Sequence, residues 1–232
     1  RENLRNSIRD TMEKLGVDSL DLIQLHCVPH EVLQEGAIFR WLRDLQSEGL
    51  IKHFGASVES VEEGLTCLAQ DDLLSLQVIF NPFRQKLVKK LLPQAAARGV
   101  GIIVRLPLAS GLLSGKFSAE TSFVETDHRN YNQDGAAFNV GETFAGLPFL
   151  KGVELADQLK PLVPAGMTMA QMTQRWILDF DAVSVIIPGA STPAQARENA
   201  AVSKLPPLSK ELHATLSAFY QNDVHSHIRG PY

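Results

Sequence analysis

The sequence predicts an α/β fold, and within that class the last five strands of an eight-stranded (β/α)8 TIM barrel. Three observations support it. Five short apolar segments alternate with amphipathic helical stripes at the spacing of βα units, which favours right-handed parallel crossovers. The first segment ends on His26, at the end of a strand where barrels place catalytic groups. Loops rich in small residues follow the last two strands, where barrels commonly bind phosphate.

An open doubly wound sheet would show the same alternation of strands and helices. That fold has a glycine-rich phosphate turn after its first strand. Here the first strand runs into the glycine-free segment 26–30, His-Cys-Val-Pro-His. A complete barrel needs about 250 residues. The sequence therefore predicts a single domain over residues 1–232 that corresponds to the C-terminal two-thirds of a barrel.

The elements follow from local patterns, taken in chain order. A helix opens the chain, because apolar residues recur at helical spacing and Gly16 supplies a stop; the stripe consists of Leu4, Ile8, Met12 and Leu15. The predicted strands are Leu20–His26, Ile51–Ser57, 76–80, 100–104 and 183–188. The later helices are predicted at 38–46, 61–68, 87–98, 153–159 and Met169–Leu178, then from residue 193 and at 210–220. A long polar loop is predicted at 106–147.

Capping residues fix several helix starts. Ser60 with Glu63 three residues later matches a capping box. Thr192 precedes a helix-starting proline, and Ser209 precedes the last helix. Pro93 inside the stretch 87–98 must start a new helix or kink it.

Composition excludes several classes of function. The chain has 232 residues, 44% of them hydrophobic, and a net charge of -4, which gives no electrostatic reason to expect nucleic acid or a membrane surface as partner. No run approaches the roughly 18 apolar residues of a spanning helix, and no secretory signal is apparent, so we expect a cytoplasmic protein acting on small molecules. Cys27 and Cys67 show no metal-ligand spacing, so no metal is predicted, and both are expected to be small buried hydrophobes.

Two loops have the composition of anion sites. The loop 107–117 offers glycines, backbone donors and Lys116, which suits a phosphate, although a structural turn explains it equally well. It is not a Walker loop, because Gly111 and Gly115 are one residue too close and Phe117 replaces the magnesium ligand. The loop 187–199 runs into a helix N-terminus, where Ser191 would bind a phosphate; the alternative is a plain helix cap.

Polar side chains recur at the predicted strand ends. His26, Ser57, Gln77 and Arg105 each fall at or near the C-terminal end of a strand, on the barrel face where active sites lie. His26 alone could be a hydrogen-bonded core histidine. A buried strand rarely carries a residue such as Gln77 without a partner or ligand, and Asn81 raises the same question.

Taken together, these segments resemble the aldo-keto reductases, NAD(P)H-dependent reductases on an eight-stranded barrel. The matching passages are Leu20–His26 as the fourth strand with its tetrad histidine, 48–57 as "eGkir-GvS", 77–82 as "Q-x-x-x-N-P", and 107–117 and 187–199 as the cofactor-phosphate loops. The segments 127–129, 132 and 141–144 resemble a bacterial branch of the family. Within them His128 and Arg129 either line the substrate mouth or pin a long loop.

The resemblance implies hydride transfer from nicotinamide to a small-molecule aldehyde or ketone, with His26 as the catalytic residue that orients the carbonyl. It implies cofactor contacts for Ser57, Gln77, Arg105, Pro107, Leu108, Ser110, Gly111, Lys116, Gly189, Ala190, Ser191, Gln195, Glu198 and Asn199. Glu198 and Asn199 face adenine or solvent. NADPH is expected over NADH as a family property, although Gly189 replaces the lysine that many relatives place on the 2′-phosphate.

The sequence departs from the family in three ways. Val58 replaces a frequent asparagine after Ser57, and Arg105 replaces a stacking aromatic, although a guanidinium plane could still stack. The tetrad Asp, Tyr and Lys belong to the family's first three βα units, which this chain is expected to lack, and none of its tyrosines has a matching context. A chain that starts at Arg1 is therefore predicted to be inactive and poorly soluble. The alternatives are a non-catalytic NADP-binding or regulatory relative, or a fragment; oligomeric state cannot be predicted.

Overall fold

A computed structural model describes residues 2–232 and contains one parallel sheet with helices around it. The strands are β1 (Leu20–His26), β2 (Ile51–Ser57), β3 (Leu73–Ile79), β4 (Gly101–Arg105) and β5 (Val183–Ile186). They are adjacent in chain order, β1-β2-β3-β4-β5, and every neighbouring pair is parallel. The prediction of a parallel α/β arrangement is confirmed. Within the described residues the sheet is open, with β1 and β5 at its edges.

Ten α-helices connect and flank these strands in the described residues. They are α1 (Glu2–Leu15), α2 (His30–Glu35), α3 (Ala37–Ser47), α4 (Val61–Leu68), α5 (Leu91–Ala97), α6 (His128–Tyr131), α7 (Phe149–Leu159), α8 (Met169–Leu178), α9 (Pro193–Ala201) and α10 (Lys210–Phe219). The buried residues of α3, α4, α5, α7 and α8 join those of the strands in one hydrophobic core, which includes fully buried residues such as Phe54, Phe80 and Trp176. Within this range no helix is both long and apolar enough to cross a membrane.

The sheet register brings the strand ends level with one another. His26 is the partner of Ser57 across β1 and β2, and Ser57 is the partner of Gln77 across β2 and β3. Two residues further along, Ile79 pairs with Arg105 of β4. Because paired residues of parallel strands point to the same face, the three polar side chains of the first row lie side by side at the carboxyl edge of the sheet.

Most predicted elements appear at or near their expected positions. Strands β1 and β2 and helix α8 have the predicted bounds, while β3 begins three residues before the prediction. The stretch 87–98 is not one helix: a 3-10 turn, Lys86–Lys89, ends before α5, which places Pro93 in the first turn of a new helix. Helix α2 was not predicted, and the long loop 106–147 contains several short helical turns.

The predicted apolar stripe of the first helix is buried only in part. Gly16 follows α1 in the left-handed region, as predicted, and Ile8 is buried. Leu4 and Met12 are half-buried against the core, but Leu15 is 65% exposed. The apolar stripe continues past the part of the helix that contacts the sheet layer, so its last member faces solvent.

Candidate functional site

Three predicted site residues form a row at the carboxyl edge of the sheet. His26 is exposed, which rules out the alternative of a hydrogen-bonded core histidine. Ser57 is 4% exposed, and its Oγ atom makes no hydrogen bond. Gln77 is half-buried on the next strand. Within the chain this oxygen lies close to the Cys27 thiol, where it opposes the rise of the thiol's pKa, and it is also placed to meet a ligand at the sheet edge.

Arg105, the last residue of β4, makes hydrogen bonds beside this row. Its Nη1 donates to the backbone oxygens of Val58 at 3.1 Å and Gln77 at 3.2 Å, and its Nη2 donates to Glu142 Oε1 at 2.6 Å. The Arg105 and Glu142 side chains are 11% and 21% exposed, so water screens the pair only partly. The guanidinium therefore fixes the ends of β2 and β3 and binds Glu142, a residue to which the sequence assigned no chemistry.

The two predicted phosphate loops face each other across one cavity of about 590 Å³. The segment after β4 contributes Leu106, Pro107, Leu108, Ser110, Gly111, Ser114 and Lys116, and the segment after β5 contributes Ile187, Gly189, Ala190, Ser191 and Gln195. His128 and Arg129 complete the lining. The cavity thus has three basic side chains and no carboxylate in its lining, although the whole chain carries a net charge of -4. Asp127 pairs with Arg129 and lies 3.5 Å from His128, so Lys116 is the lining cation that no described carboxylate offsets, and it suits a phosphate-bearing ligand.

The loop after β4 owes its shape to a run of left-handed backbone. Leu106, Ala109, Ser110 and Gly111 all have φ between 48° and 104°. Asn81, fully buried, donates from Nδ2 to the Leu106 oxygen at 3.0 Å and so holds the first of these residues. The polar side chain of Asn81, singled out in the sequence, therefore stabilises the loop rather than pointing to a ligand.

The Ser110 hydroxyl is hydrogen-bonded to backbone groups of the chain. Its hydroxyl donates to the Glu142 backbone oxygen at 3.3 Å and accepts from the Phe144 amide at 3.1 Å. The side chain thus ties the loop after β4 to the segment that carries Glu142. Of the polar side chains that this loop places at the cavity, the exposed Lys116 ammonium is the one that makes no side-chain hydrogen bond or ion pair to any described residue.

The loop after β5 is built around the cap of α9. Thr192 Oγ1 accepts from the Gln195 amide at 3.2 Å, which completes a capping box, so the predicted cap is confirmed. Gln195 Oε1 in turn accepts from the Ser191 amide at 2.7 Å and from the Ser191 hydroxyl at 2.9 Å. Gln195 therefore belongs both to the cap of α9 and to the lining of the cavity. Ser191 remains exposed at the cavity.

The two residues expected near the adenosine end lie apart from that cavity. Asn199 accepts a hydrogen bond from Gln174 Nε2 at 3.1 Å and donates one to the Gly189 oxygen at 3.3 Å. It therefore stabilises the loop after β5. It also lines a separate groove of about 420 Å³ between β5 and α9. Glu198 is exposed on α9 and lines neither space.

The basic residues of the long loop lie at the cavity between the two phosphate loops, and Arg129 also holds its own loop; a role at the substrate mouth stays a prediction. His128 and Arg129 line the cavity. Arg129 also pairs with Asp127, with Nη2 2.5 Å from Oδ2, and stacks over Phe123 at 4.4 Å. Hydrogen bonds from Arg129 lower the pKa of Asp127 to about 2. The pair therefore fixes the loop and at the same time presents one wall of the cavity.

No described tyrosine is placed as a free proton donor at the strand ends. Tyr220 and Tyr232 form a hydrogen bond at 3.1 Å, and burial raises the pKa of both hydroxyls. Tyr131 lies on α6, where it is 47% exposed and packs edge-on against Phe138.

Comparisons with known proteins place these features in context. The family model described as the aldo/keto reductase family matches residues 1–221. The chain is 27% identical over 203 residues to the NADH-specific methylglyoxal reductase of Escherichia coli (strain K12), a match that covers 86% of this chain and 59% of the relative. The chain spans between 59% and 63% of the length of the first curated relatives that it matches.

Solved structures confirm the type of fold. A glycerol dehydrogenase from Gluconobacter oxydans superposes with a TM-score of 0.73 at 23% identity, covering 99% of this chain and 67% of that one. An aldo/keto reductase from Klebsiella pneumoniae, solved in complex with NADP and acetate, gives 0.62 at 21% identity, covering 94% and 64%. The expectation that this chain lacks the family's first three βα units gains no support from the family match, which covers residues 1–221, and it stays a prediction.

Proposed function

Because the chain belongs to the aldo/keto reductase family, we propose that it takes part in the reduction of aldehyde or ketone carbonyls with a nicotinamide cofactor, NADPH in preference to NADH. The observation that carries the proposal is the row of His26, Ser57 and Gln77, which shares its sheet edge with two loops that enclose a basic cavity. One end of this surface suits a carbonyl and a carboxamide, and the other suits phosphate groups.

The residues present fit such a cofactor. The buried Ser57 hydroxyl lacks a partner, and the half-buried Gln77 amide adds donors and an acceptor beside it. Both would hold the carboxamide. Lys116, His128 and Arg129 surround the cavity, where positive charge would hold the pyrophosphate or 2′-phosphate. When bound, the reduced nicotinamide supplies a hydride to the carbonyl carbon.

His26 would act at the carbonyl oxygen. An exposed imidazole at the end of β1 can donate one hydrogen bond to that oxygen, which orients the substrate and stabilises the negative charge that develops there. We assign no proton donor among the tyrosines of this chain, because Tyr220 and Tyr232 are engaged with each other.

The preference for NADPH follows from charge at the cavity. Gly189 provides no cation, but Lys116 is exposed at the cavity and makes no ion pair to any described residue. A relative is named as NADH-specific and a solved neighbour holds NADP, so the choice depends on this chain's own residues. An extra phosphate beside Lys116 would gain one charge-assisted hydrogen bond.

Fluorescence titration with NADPH and with NADH tests the proposal. We expect Lys116→Ala to weaken NADPH binding about tenfold, since a charged hydrogen bond contributes roughly 1.5 kcal/mol, with a smaller effect on NADH. Lys151→Ala is the matched control, because Lys151 lies on α7 in an ion pair with Glu154 and does not line the cavity. Absence of binding by either nucleotide, or equal effects of the two variants, would contradict the proposed function.

Carbonyl reduction tests the role of His26 in a protein that also contains the first three βα units implied by the resemblance, because this chain alone is predicted to be inactive. With methylglyoxal as the probe substrate, the oxidation of NADPH is followed by absorbance, and His26→Gln is expected to lower kcat by about 10²-fold. The replacement keeps a polar side chain of similar size at an exposed position. Unchanged kcat in this variant would remove His26 from the reaction.

A further inference from the structure

The Glu142 carboxylate lies beside the end of the site that is proposed to hold the nicotinamide. One of its oxygens lies within 4.8 Å of the Cys27 sulfur, and Cys27 directly follows His26 at the end of β1. Burial raises the pKa of the Cys27 thiol, and the nearby Ser57 hydroxyl opposes that rise. Glu142 is therefore one side chain away from the proposed carbonyl and carboxamide contacts, His26 and Ser57, although it does not line the cavity between the phosphate loops.

Arg105 holds this carboxylate in a fixed orientation. Its Nη2 donates to Glu142 Oε1 at 2.6 Å, and its Nε contacts the two carboxylate oxygens at 3.1 and 3.4 Å. Through Nη1 the same guanidinium donates to the backbone oxygens of Val58 and Gln77. The positive charge of Arg105 is therefore also adjacent to the strand ends, and the fork of hydrogen bonds keeps the two opposite charges together.

Four charged side chains meet at this end of the site. Arg84 is 2% exposed and packs against the segment before Glu142, since a Cβ atom at Gly141 would lie 2.5 Å from Arg84 Nη1. Burial lowers the pKa of Arg84 to about 10, so this guanidinium stays charged at neutral pH. The Glu59 carboxylate lies within 4.8 Å of that of Glu142. Two guanidinium groups, those of Arg84 and Arg105, thus balance two carboxylates.

The two forms of the cofactor differ in charge at the ring that this end of the site would hold. The dihydronicotinamide ring of NADPH is neutral, whereas the oxidised ring of NADP⁺ carries one positive charge. A balanced group of charges treats the two rings alike, but an unbalanced guanidinium repels the oxidised ring. We propose that Glu142 sets the ratio of the affinities for NADP⁺ and NADPH, by offsetting the charge that Arg105 brings to the strand ends. This role rests on the proposed function, because it requires that nicotinamide binds at this edge of the sheet.

The affinities for the two redox forms test this role. NADPH is titrated by its fluorescence, and NADP⁺ by displacement of bound NADPH. Both nucleotides carry the same phosphates, so effects at the phosphate loops cancel in the ratio of the Kd for NADP⁺ to the Kd for NADPH. Glu142→Gln keeps the shape of the side chain and removes its charge, and it should raise that ratio about fivefold, the effect of one partly screened unit charge. This change corresponds to a rise of about 20 mV in the midpoint potential of the bound couple.

Further variants separate charge from position. Glu142→Asp keeps the charge but shortens the side chain, so both affinities should fall together and the ratio should keep its wild-type value. Arg105→Gln leaves one carboxylate in excess and should lower the ratio, and the double variant Arg105→Gln/Glu142→Gln, which is balanced again, should restore it. Glu154→Gln on α7 breaks an ion pair with Lys151 and should leave the ratio unchanged.

The two single variants of Glu142 decide the matter if the Arg105 variants fail to fold, because both keep the contacts of Arg105 with the strand ends. An unchanged ratio in Glu142→Gln, or the same change of ratio in Glu142→Asp, would overturn the role of Glu142 while the proposed function stands. Failure of the wild type to bind either nucleotide would overturn the proposed function and this role with it.

Discussion

Replacing Ser57 with alanine asks whether a buried hydroxyl is retained for a ligand or for the fold. The Oγ atom is buried and makes no hydrogen bond, and an unsatisfied buried polar group costs about 1–3 kcal/mol. Removing it relieves that cost and leaves a space the size of one oxygen atom. We therefore expect Ser57→Ala to be as stable as the wild type, or more stable by up to about 2 kcal/mol.

The same substitution should weaken the binding of nucleotide. One lost hydrogen bond to the carboxamide corresponds to about 1 kcal/mol, or roughly fivefold in Kd. Urea unfolding without nucleotide measures the first quantity, and NADPH fluorescence titration measures the second. The free energy of unfolding is expected to stay the same or rise, while the affinity for NADPH falls. A purely structural role for Ser57 cannot produce this combination.

Ser75→Ala supplies the control from the neighbouring strand. Ser75 is equally buried, at 4% exposure, but its hydroxyl donates to Gln24 Oε1 at 3.5 Å. Its removal should cost about 0.5–1 kcal/mol of stability and leave nucleotide binding unchanged. If Ser57→Ala instead loses more than about 2 kcal/mol while NADPH binds as before, the reasoning from the orphaned hydroxyl is wrong.

Three further perturbations follow from the contacts. Arg84 is 2% exposed and donates hydrogen bonds to three backbone oxygens at 3.1–3.4 Å, and burial lowers its pKa to about 10. Arg84→Met removes these bonds and should lower the free energy of unfolding by about 3 kcal/mol, measured with urea at neutral pH. Arg129 lowers the pKa of Asp127 from 3.8 to about 2, so the Asp127 carboxylate stabilises the fold above about pH 4 and loses this contribution towards pH 2. When unfolding is measured over that pH range, Asp127→Asn should not show this loss of stability. In Gly152→Ala the new Cβ would lie 2.4 Å from Leu112 Cδ1, and thermal unfolding should report a loss of about 1–3 kcal/mol.

Local signals in the sequence predicted the fold most reliably. The capping box of Ser60 and Glu63 forms with hydrogen bonds of 3.1 and 3.2 Å, because both partners lie within one helical turn and need no tertiary context. Apolar runs located β1 and β2 to the residue, since burial of both strand faces leaves a continuous signal. The polar residues that end these strands then fall on one edge wherever the strands are parallel.

Contacts between distant segments could not be predicted. Arg105 and Glu142 are 37 residues apart, and the intervening segment has neither regular periodicity nor long helices, so no local pattern links them. Cys27 was expected to be buried as Cys67 is, but it is half-buried, because the chain turns at φ 48° on leaving β1 and carries the thiol to the sheet edge.

Arg105 links the ends of β2 and β3 to the segment that carries Glu142. One edge of its guanidinium holds the backbone oxygens of Val58 and Gln77, which fixes the distance between the strands that present the predicted carboxamide contacts. Its other edge neutralises Glu142. An aromatic residue at this position could stack on a nicotinamide ring but could do neither of these things, because it has no donors in a planar fork. An arginine at the position where the resemblance implies an aromatic side chain therefore couples the spacing of the strand ends to the position of Glu142.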